Sequence, residues 1–454
     1  MYDVVIIGGG VVGCAVAREL SSFELKIALI ESRSDVGDAT SKSNTAILHT
    51  GFDSLPGSLE SAMVARGYTL LSAYALATGI PVEHTGAVLV AWDAEQLAVL
   101  PSLKSKAEKN GYLHCELIDT AEVYARIPDL GPGVHGGLTV PDESIICPWT
   151  TPLAFATEAK SRGVEIRLNT HVHGVEVGPD ASVLNTSTGK IRTRWVVNVA
   201  GLGGDVIDSM FGFDRFTLVP RRGELLVFDK LTRPMAPTIV LPVPTEKGKG
   251  VLISPTIFGN VMLGPTSENM VDRTDTSTSQ EGFAFLLSKG AALMPELLGK
   301  EVTASYAGLR AASEHLDYVV QSDAEKRYLL LGGIRSTGLT ASMALAEHAR
   351  ELLQAAGCTL KARADLPAPP HMPNIGEAFP RPYQQAELIE SDPAYGEIVC
   401  FCERVTRGEI RDALASPLPP SDFDGLRRRT RALMGRCQGF YCGAEVDAML
   451  RGES

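Results

Sequence analysis

Three glycines near the start of the chain have the spacing of a dinucleotide-binding turn. Gly8, Gly10 and Gly13 form G-x-G-x-x-G after the apolar run of residues 4–7, and Glu31 ends the next apolar run. In this motif the first glycine allows a tight turn, the second lets a pyrophosphate approach the backbone, and the third lets the helix pack on the strand. The acid accepts hydrogen bonds from an adenosine ribose, so the segment predicts a bound dinucleotide. Its place at the start of a long chain favours FAD over NAD.

Four cysteines near the end of the chain have the spacing of a metal site. Cys400 and Cys402 form C-x-C, and Cys437 and Cys442 form C-x4-C. Four thiolates are the ligand set of an iron–sulfur cluster and also of a structural zinc site. Zinc pairs more commonly read C-x2-C, so we favour iron–sulfur and keep zinc as the alternative. The other four cysteines lack such spacing and are predicted to be buried thiols.

Apolar runs that predict buried strands alternate along the chain with β-rich stretches. Residues 26–30, 194–200 and 328–331 are runs of the first kind, whereas residues 216–264 predict several short strands. The pattern is typical of an α/β protein in which a Rossmann-like dinucleotide domain is interleaved with a β-rich substrate domain. The predicted boundaries are 1–85, 146–212 and 305–365 for the dinucleotide domain, 86–145 and 213–304 for the substrate domain, 366–388 for a stiff Pro-rich linker, and 389–454 for a small C-terminal domain.

Composition excludes several classes of protein. The formal net charge of −12 at pH 7 argues against general nucleic-acid affinity. No apolar run is long enough to predict a membrane-spanning helix, and the first apolar run lacks the charged leader of a signal peptide. Eight cysteines in 454 residues do not form a disulfide scaffold, and their C-terminal cluster indicates a metal in a reducing cytoplasm.

The order of the motifs resembles that of FAD-dependent oxidoreductases of the D-amino-acid-oxidase type. The similarity covers roughly residues 1–360 and lies in GGGVVG, Glu31, SKSNTAILHTGF, VVNVAGL and GGIRSTGLTAS. Within that family, ISPTIFGNVMLGPT and YAGLR are similar to the glycerol-3-phosphate dehydrogenases and oxidases, and HTGFDSLPGSL is similar to L-2-hydroxyglutarate dehydrogenase. The C-terminal cysteine pattern resembles the small [2Fe–2S] domain of bacterioferritin-associated ferredoxin.

The resemblance implies a set of FAD contacts. A backbone contact to adenine is expected from Val172, and the pyrophosphate lies near Ala200 and Gly201. A helix start at Gly338 would face the N1–O2 edge of the isoalloxazine, where the backbone dipoles favour the charge of reduced flavin. The full set of implied FAD residues is Gly8, Gly10, Gly13, Glu31, Ser41, Ser43, Asn44, Val172, Ala200, Gly201, Gly338, Leu339 and Thr340.

The resemblance also implies residues for the chemistry at the flavin. His49 follows the flavin loop and is the expected base, since an unperturbed histidine titrates near ~6.5. Arg310, in YAGLR, is the expected substrate-binding arginine, because its fork suits a carboxylate or a phosphate. Lys249 matches a lysine near the substrate in the closest relatives and is predicted to take part in both binding and catalysis. Arg335 is the third candidate for binding the anion.

We therefore expect an FAD-dependent dehydrogenase that oxidises a small anionic alcohol, foremost sn-glycerol 3-phosphate, and passes electrons through its [2Fe–2S] site. One alternative is an L-2-hydroxy acid or amino-acid dehydrogenase on the same scaffold. Another is a non-catalytic electron-transfer subunit that keeps its flavin. The expected partners are the substrate and a quinone-linked or protein electron acceptor, through which the protein could associate peripherally with a membrane.

Overall fold

The computed structural model describes residues 1–244 and 250–453, which form two large sheets and a small C-terminal domain. The first sheet has eight strands, and its centre is the parallel pair Tyr2–Ile7 and Ile27–Ile30. These two strands are short runs of buried Val, Ile, Leu and Ala, as expected for parallel strands covered on both faces. The order across the sheet is Val172–Glu176, Ser182–Thr186, Gly189–Asn198, Tyr2–Ile7, Ile27–Ile30 and Glu165–Arg167, with Tyr328–Gly332 beside Gly189–Asn198 and Val319–Asp323 beside Tyr328–Gly332.

The second sheet has nine strands and is almost entirely antiparallel. Its longest pair is Leu218–Phe228 with Val302–Ser313. The predicted boundary at residue 305 falls inside the second of these strands, so the substrate sheet continues to Ser313. The order across the sheet is Glu268–Asn269, Leu218–Phe228, Val261–Gly264, Leu252–Pro255, Ile239–Pro242, Ala87–Ala91, Gly136–Val140 and Glu116–Ile118, with Val302–Ser313 also paired to Leu218–Phe228.

Helices cover the first sheet and meet at small residues. Helices Leu59–Thr78 and Gly338–Ala355 cross at Gly67, where an added Cβ would lie 2.2 Å from the carbonyl oxygen of Thr340. This close crossing holds the start of the second helix in place. The α-helices are Val11–Leu20, Leu59–Thr78, Ala94–Lys109, Thr120–Arg126, Thr150–Ser161, Gly204–Met210, Gln280–Leu293, Gly338–Ala355, Ala386–Ser391, Arg407–Leu414, Phe423–Thr430 and Gly443–Arg451.

Shorter elements complete the chain. The 3₁₀ turns are Thr40–Lys42, Gly201–Gly203, Lys230–Met235, Pro295–Gly299, Pro382–Gln384 and Pro393–Tyr395. A three-stranded sheet joins Ile47–Leu48, Ser144–Ile146 and Val82–Glu83, and the C-terminal domain has the hairpin Ile398–Cys400 and Val405–Thr406. In the described part of the chain, no helix has the length and apolar character needed to cross a bilayer.

The Pro-rich segment does not act as a free spacer. Its backbone N–H groups at Met372 and Glu377 donate to the carbonyls of Thr78 and Ile257, at 2.7 and 3.0 Å. Arg381, near its end, is 1% exposed. Proline density prevents regular structure, as predicted, but the segment gains its order by packing along the body of the protein. We call residues 371–381 the strap.

The C-terminal domain is attached to the first domain by a buried ionic cluster. Asp35, in the loop after strand Ile27–Ile30, accepts from Arg429 at 2.6 and 2.9 Å and from Arg428 at 2.9 Å. Arg428 also pairs with Asp38 at 2.7 Å. Burial disfavours the Asp35 carboxylate, but hydrogen bonds and charge from the two arginines outweigh it and lower the pKa of Asp35. We call these four residues the ionic clamp.

Candidate active site

A cavity of ≈1650 Å³ contains most of the residues predicted to bind the cofactor and substrate. This volume exceeds the roughly 300–1,000 Å³ of common small-molecule sites, so it has room for a dinucleotide together with a substrate. The predicted residues that line it are Gly8, Gly10, Glu31, Ser41, Ser43, Asn44, His49, Val172, Ala200, Gly201, Arg310, Arg335, Gly338 and Leu339. The other two predicted FAD residues in the described chain, Gly13 and Thr340, do not line the cavity but are close in sequence to residues that do.

At the dinucleotide turn the three glycines have different surroundings. Gly8 has a φ of +113°, and an added Cβ would lie 2.4 Å from the carbonyl oxygen of Val199. A Cβ on Gly13 would lie 1.9 Å from the carbonyl oxygen of Gly8. A Cβ on Gly10 would meet only the Ser41 hydroxyl at 3.3 Å, so Gly10 leaves its space open to the cavity. Gly8 and Gly13 are therefore required for packing, and Gly10 is the one available for the ligand.

Glu31 is oriented by the backbone around it. Its carboxylate accepts from the N–H groups of Gly9 and Arg33, at 2.6 and 2.9 Å. Helix Val11–Leu20 begins beside it, and the Val11 N–H donates to the Ser41 hydroxyl at 2.9 Å. A positive helix end, an open glycine and an oriented acid in a long cavity fit the pyrophosphate and ribose of FAD.

The cavity wall includes a second helix start. Gly338 and Leu339, the first residues of helix Gly338–Ala355, line the wall. Thr340 lies behind them, and its hydroxyl accepts from the backbone N–H of His49 at 3.0 Å. The helix start and the His49 loop are thus held together in the cavity wall.

His49 is paired with a buried acid that the sequence did not indicate. Its Nδ1 lies 3.0 Å from Oε2 of Glu143, whose side chain is 0% exposed. The other carboxylate oxygen accepts from the N–H and hydroxyl of Thr50, at 2.7 and 2.9 Å. The carboxylate fixes the orientation of the ring and stabilises its protonated form. His49 and Glu143 are 94 residues apart, and no motif links them.

Arg310 lies in the cavity wall opposite a second arginine. Arg221 faces it across the strand pair, and Gly223 leaves room for the guanidinium, since a Cβ there would lie 2.8 Å from Nη2 of Arg310. Burial and the charge of Arg221 lower the pKa of Arg310. Across residues 1–244 and 250–453, the Arg310 side chain has no hydrogen bond or ion pair, whereas that of Arg221 donates to Asn269 at 3.0 Å. A partly buried, unpaired cation in a cavity wall favours an anionic ligand.

The other two predicted cations are in different situations. Arg335 lines the cavity but donates to Glu60 at 3.2 Å and to the carbonyl of Leu316, so its charge is already balanced within the protein. Lys249 lies outside the residues that the structure describes. Of the three candidates for binding an anion, Arg310 therefore has the clearest support, and Arg221 joins it as a residue that sequence reasoning missed.

The four C-terminal cysteines form two neighbouring pairs. The Cys402 thiol interacts with Cys437, and the Cys400 thiol interacts with Cys442. Backbone N–H groups of Tyr441, Gly439 and Phe440 lower the pKa of Cys437, whereas burial and Cys400 raise that of Cys442 to about 12. Gly435 allows the close approach, since an added Cβ would lie 2.2 Å from Cβ of Cys402.

This arrangement of thiols is compatible with an iron–sulfur cluster. A [2Fe–2S] cluster takes two protein ligands on each iron, which matches two thiol pairs with N–H donors to sulfur. The donor set thus fits the cluster predicted from the cysteine spacing.

Comparison with known families agrees with both parts of the chain. Residues 3–352 match the family described as FAD dependent oxidoreductase, and residues 398–451 match the BFD-like [2Fe-2S] binding domain. Glycerol 3-phosphate dehydrogenase of Caloramator mitchellensis is 32% identical over 455 residues, covering 100% of this chain and 94% of the relative. Glycerol 3-phosphate oxidase of Mycoplasma pneumoniae is 30% identical and covers 77% of this chain and 94% of the relative.

Solved structures give the same result for the fold. The dithionite-reduced L-alpha-glycerophosphate oxidase of Mycoplasma pneumoniae with FAD bound superposes with a TM-score of 0.78 at 27% identity, covering 82% of this chain and 99% of that one. Glycine oxidase of Geobacillus kaustophilus shares the fold, with a TM-score of 0.71 at 22% identity, covering 83% and 99%. The predicted fold class and both predicted cofactors are confirmed. The chain belongs to the FAD dependent oxidoreductase family and is an FAD-dependent oxidoreductase with a C-terminal [2Fe–2S]-binding domain.

Proposed function

We propose that this protein is a dehydrogenase that oxidises sn-glycerol 3-phosphate and passes the electrons to its iron–sulfur cluster. The observation that carries the proposal is Arg310, a partly buried cation whose side chain has no hydrogen-bond or ion-pair partner among the described residues, on the wall of the cavity that also holds His49. The relatives named glycerol 3-phosphate dehydrogenase and oxidase support this choice of substrate.

Each residue of the site has a role in such a reaction. Arg310, with Arg221 beside it, binds the phosphate and places the carbinol carbon near the flavin. His49 takes the hydroxyl proton, and Glu143 holds its ring and stabilises the charge that forms. Bound FAD supplies the hydride acceptor. The helix start at Gly338 directs its N–H groups toward negative charge at that end of the cavity.

The second candidate substrate is an L-2-hydroxy acid. A guanidinium fork binds a carboxylate as well as a phosphate, so Arg310 does not separate the two classes. L-2-hydroxyglutarate dehydrogenase of Caenorhabditis elegans is 30% identical over 278 residues, covering 59% of this chain and 63% of the relative.

The His49–Glu143 pair argues against a non-catalytic subunit, because an electron carrier has no need of a base in its flavin cavity.

An anaerobic substrate panel tests the proposal directly. Purified protein is mixed with sn-glycerol 3-phosphate, L-2-hydroxyglutarate or an amino acid, and bleaching of the flavin absorbance is recorded. We expect rapid bleaching with sn-glycerol 3-phosphate alone. Bleaching by the hydroxy acid alone would reassign the substrate, and no bleaching by any compound would favour the non-catalytic subunit.

A further inference from the structure

Trp149 lies where the flavin cavity approaches the C-terminal domain. Its indole N–H donates to the carbonyl oxygen of Lys42 at 3.1 Å. Lys42 stands between Ser41 and Ser43, both of which line the cavity, while Trp149 itself does not. The indole is therefore hydrogen-bonded to a loop of the cavity wall without lining the cavity itself.

The indole continues into a stack that reaches the other domain. Trp149 and Phe258 stack with ring centroids 4.5 Å apart and planes 20° apart. The Arg431 guanidinium lies 4.3 Å from the Phe258 ring centroid and 5.6 Å from that of Trp149. Arg431 then pairs with Glu403 at 3.1 Å, and Glu403 directly follows Cys402. A continuous set of contacts thus joins the flavin loop to a cluster ligand.

Burying Arg431 costs desolvation free energy that a residue needed only for packing would avoid. It is 5% exposed, so its charge is desolvated, and an apolar side chain of similar size would avoid that cost. Its backbone, with a φ of +74°, forms the left-handed end of helix Phe423–Thr430, which fixes the point from which the side chain extends. A buried charge held between two rings and an acid next to a cluster ligand points to a role beyond packing.

We propose that Trp149, Phe258 and Arg431 form the path by which single electrons pass from the flavin to the iron–sulfur cluster. This inference rests on the proposed function, in which the cluster receives the substrate's electrons. The reduced flavin loses one electron and the oxidised cluster gains it. The second electron follows once an external one-electron acceptor has oxidised the cluster, and the flavin returns its protons to solvent. Tunnelling is faster through packed and hydrogen-bonded atoms than across a gap.

Anaerobic rapid mixing separates the two electron-transfer steps. Flavin bleaching reports the first step, and the cluster's visible absorbance, with EPR of freeze-quenched samples, reports the second. In Trp149→Leu we expect flavin reduction at the parent rate and cluster reduction slowed severalfold. Trp149→Phe keeps a ring on Phe258 and should recover most of the lost rate. Trp92→Leu is the matched control, since Trp92 is also half-buried but packs in the substrate domain.

Arg431→Lys is the second variant. It keeps a positive charge beside Glu403 but removes the planar group from the stack, so cluster reduction should again be slow. FAD content, iron content and melting temperature show whether each variant is intact. Parent rates of cluster reduction in intact Trp149→Leu and Arg431→Lys would overturn the path.

The design also separates failure of the path from failure of the proposed function. If no substrate bleaches the flavin, the flavin is reduced instead by illumination in the presence of EDTA. Cluster reduction is then recorded as before. A cluster that stays oxidised in the parent protein beside reduced flavin would refute the relay itself, and the path with it.

Discussion

At the scale of single residues, Gly10 and Gly13 separate ligand binding from packing. Gly10→Val places a side chain in open cavity space, so we expect folded protein that has lost its FAD. Gly13→Val drives a side chain into the carbonyl of Gly8, so we expect a loss of stability as well. Flavin absorbance and thermal unfolding of the two variants distinguish these effects. A yellow Gly10→Val protein would contradict the assignment of the pyrophosphate site.

His49 and Glu143 give a second prediction at this scale. His49→Ala should slow flavin reduction by roughly 10²–10⁴-fold, the usual contribution of a general base, while FAD stays bound. Glu143→Gln removes the charge that stabilises the protonated ring, so it should slow the same step and shift the rising limb of its pH profile to lower pH, because a general base acts unprotonated and the ring would lose its proton more readily. His84→Ala is the control, since His84 bonds Ser144 outside the cavity. Equal rates in His49→Ala and the parent would place the proton transfer elsewhere.

Arg310 gives the third. Arg310→Ala should raise KM for the anionic substrate and lower kcat/KM, with a loss of roughly 2–5 kcal/mol in transition-state binding. Arg310→Lys keeps the charge but loses the planar guanidinium fork. Its kcat/KM should therefore lie between those of the parent and Arg310→Ala. Steady-state kinetics with an artificial acceptor measure both. Unchanged kcat/KM in Arg310→Ala would mean that the anion is bound by other residues.

At the residue scale, sequence is most informative where the signal is local. The glycine turn and Glu31 lie in one short strand–turn–helix segment, so their types and spacing determine their geometry. Glu143 and Arg221 could not be found in this way. Each meets its partner through tertiary packing or strand register, which no nearby motif records.

At the scale of elements, the ionic clamp makes domain docking depend on pH. The pKa of Asp35 is lowered in the folded protein, so its contribution to stability is complete above the unfolded pKa of about 3.9 and is lost as pH falls through the lower folded value. Asp35→Asn should therefore reduce stability at pH 7 by about 3–5 kcal/mol, because it leaves buried arginines without their partner. The difference in stability between Asp35→Asn and the parent should become smaller at acidic pH.

Melting curves of the two proteins from pH 7 down to pH 3 measure this dependence. A difference in stability that stays constant over that range would show that Asp35 acts through its shape and not through its charge. Ser34, which bonds Asp422 at the same interface, offers a neutral control in Ser34→Ala.

At the scale of elements, sequence patterns predicted local structure but not the packing of distant segments. Proline density correctly indicated that residues before Pro382 would lack helix and strand, but it could not indicate that the strap packs on the body. The hydrogen bonds that hold the strap go to Thr78 and Ile257, which are far away in sequence. Trp149 and Phe258 likewise come together only in the folded chain.

At the scale of the whole molecule, the proposed electron relay depends on the four C-terminal cysteines. Cys437→Ser should lose iron with its visible and EPR signals, because a four-thiolate site would be left with three. Substrate should still bleach the flavin, since His49 and Arg310 are untouched, while turnover with a one-electron acceptor falls. Metal analysis of anaerobically prepared parent protein is the companion measurement. One zinc per chain and no iron would overturn the relay.

The way the C-terminal domain is held has a consequence for the gene. Residues 364–369 are exposed, and the strap and the ionic clamp anchor everything that follows. Peptide continuity across that exposed stretch is not what keeps the cluster beside the flavin. An open reading frame interrupted there would yield two polypeptides with matching surfaces, able to reassemble as a heterodimer.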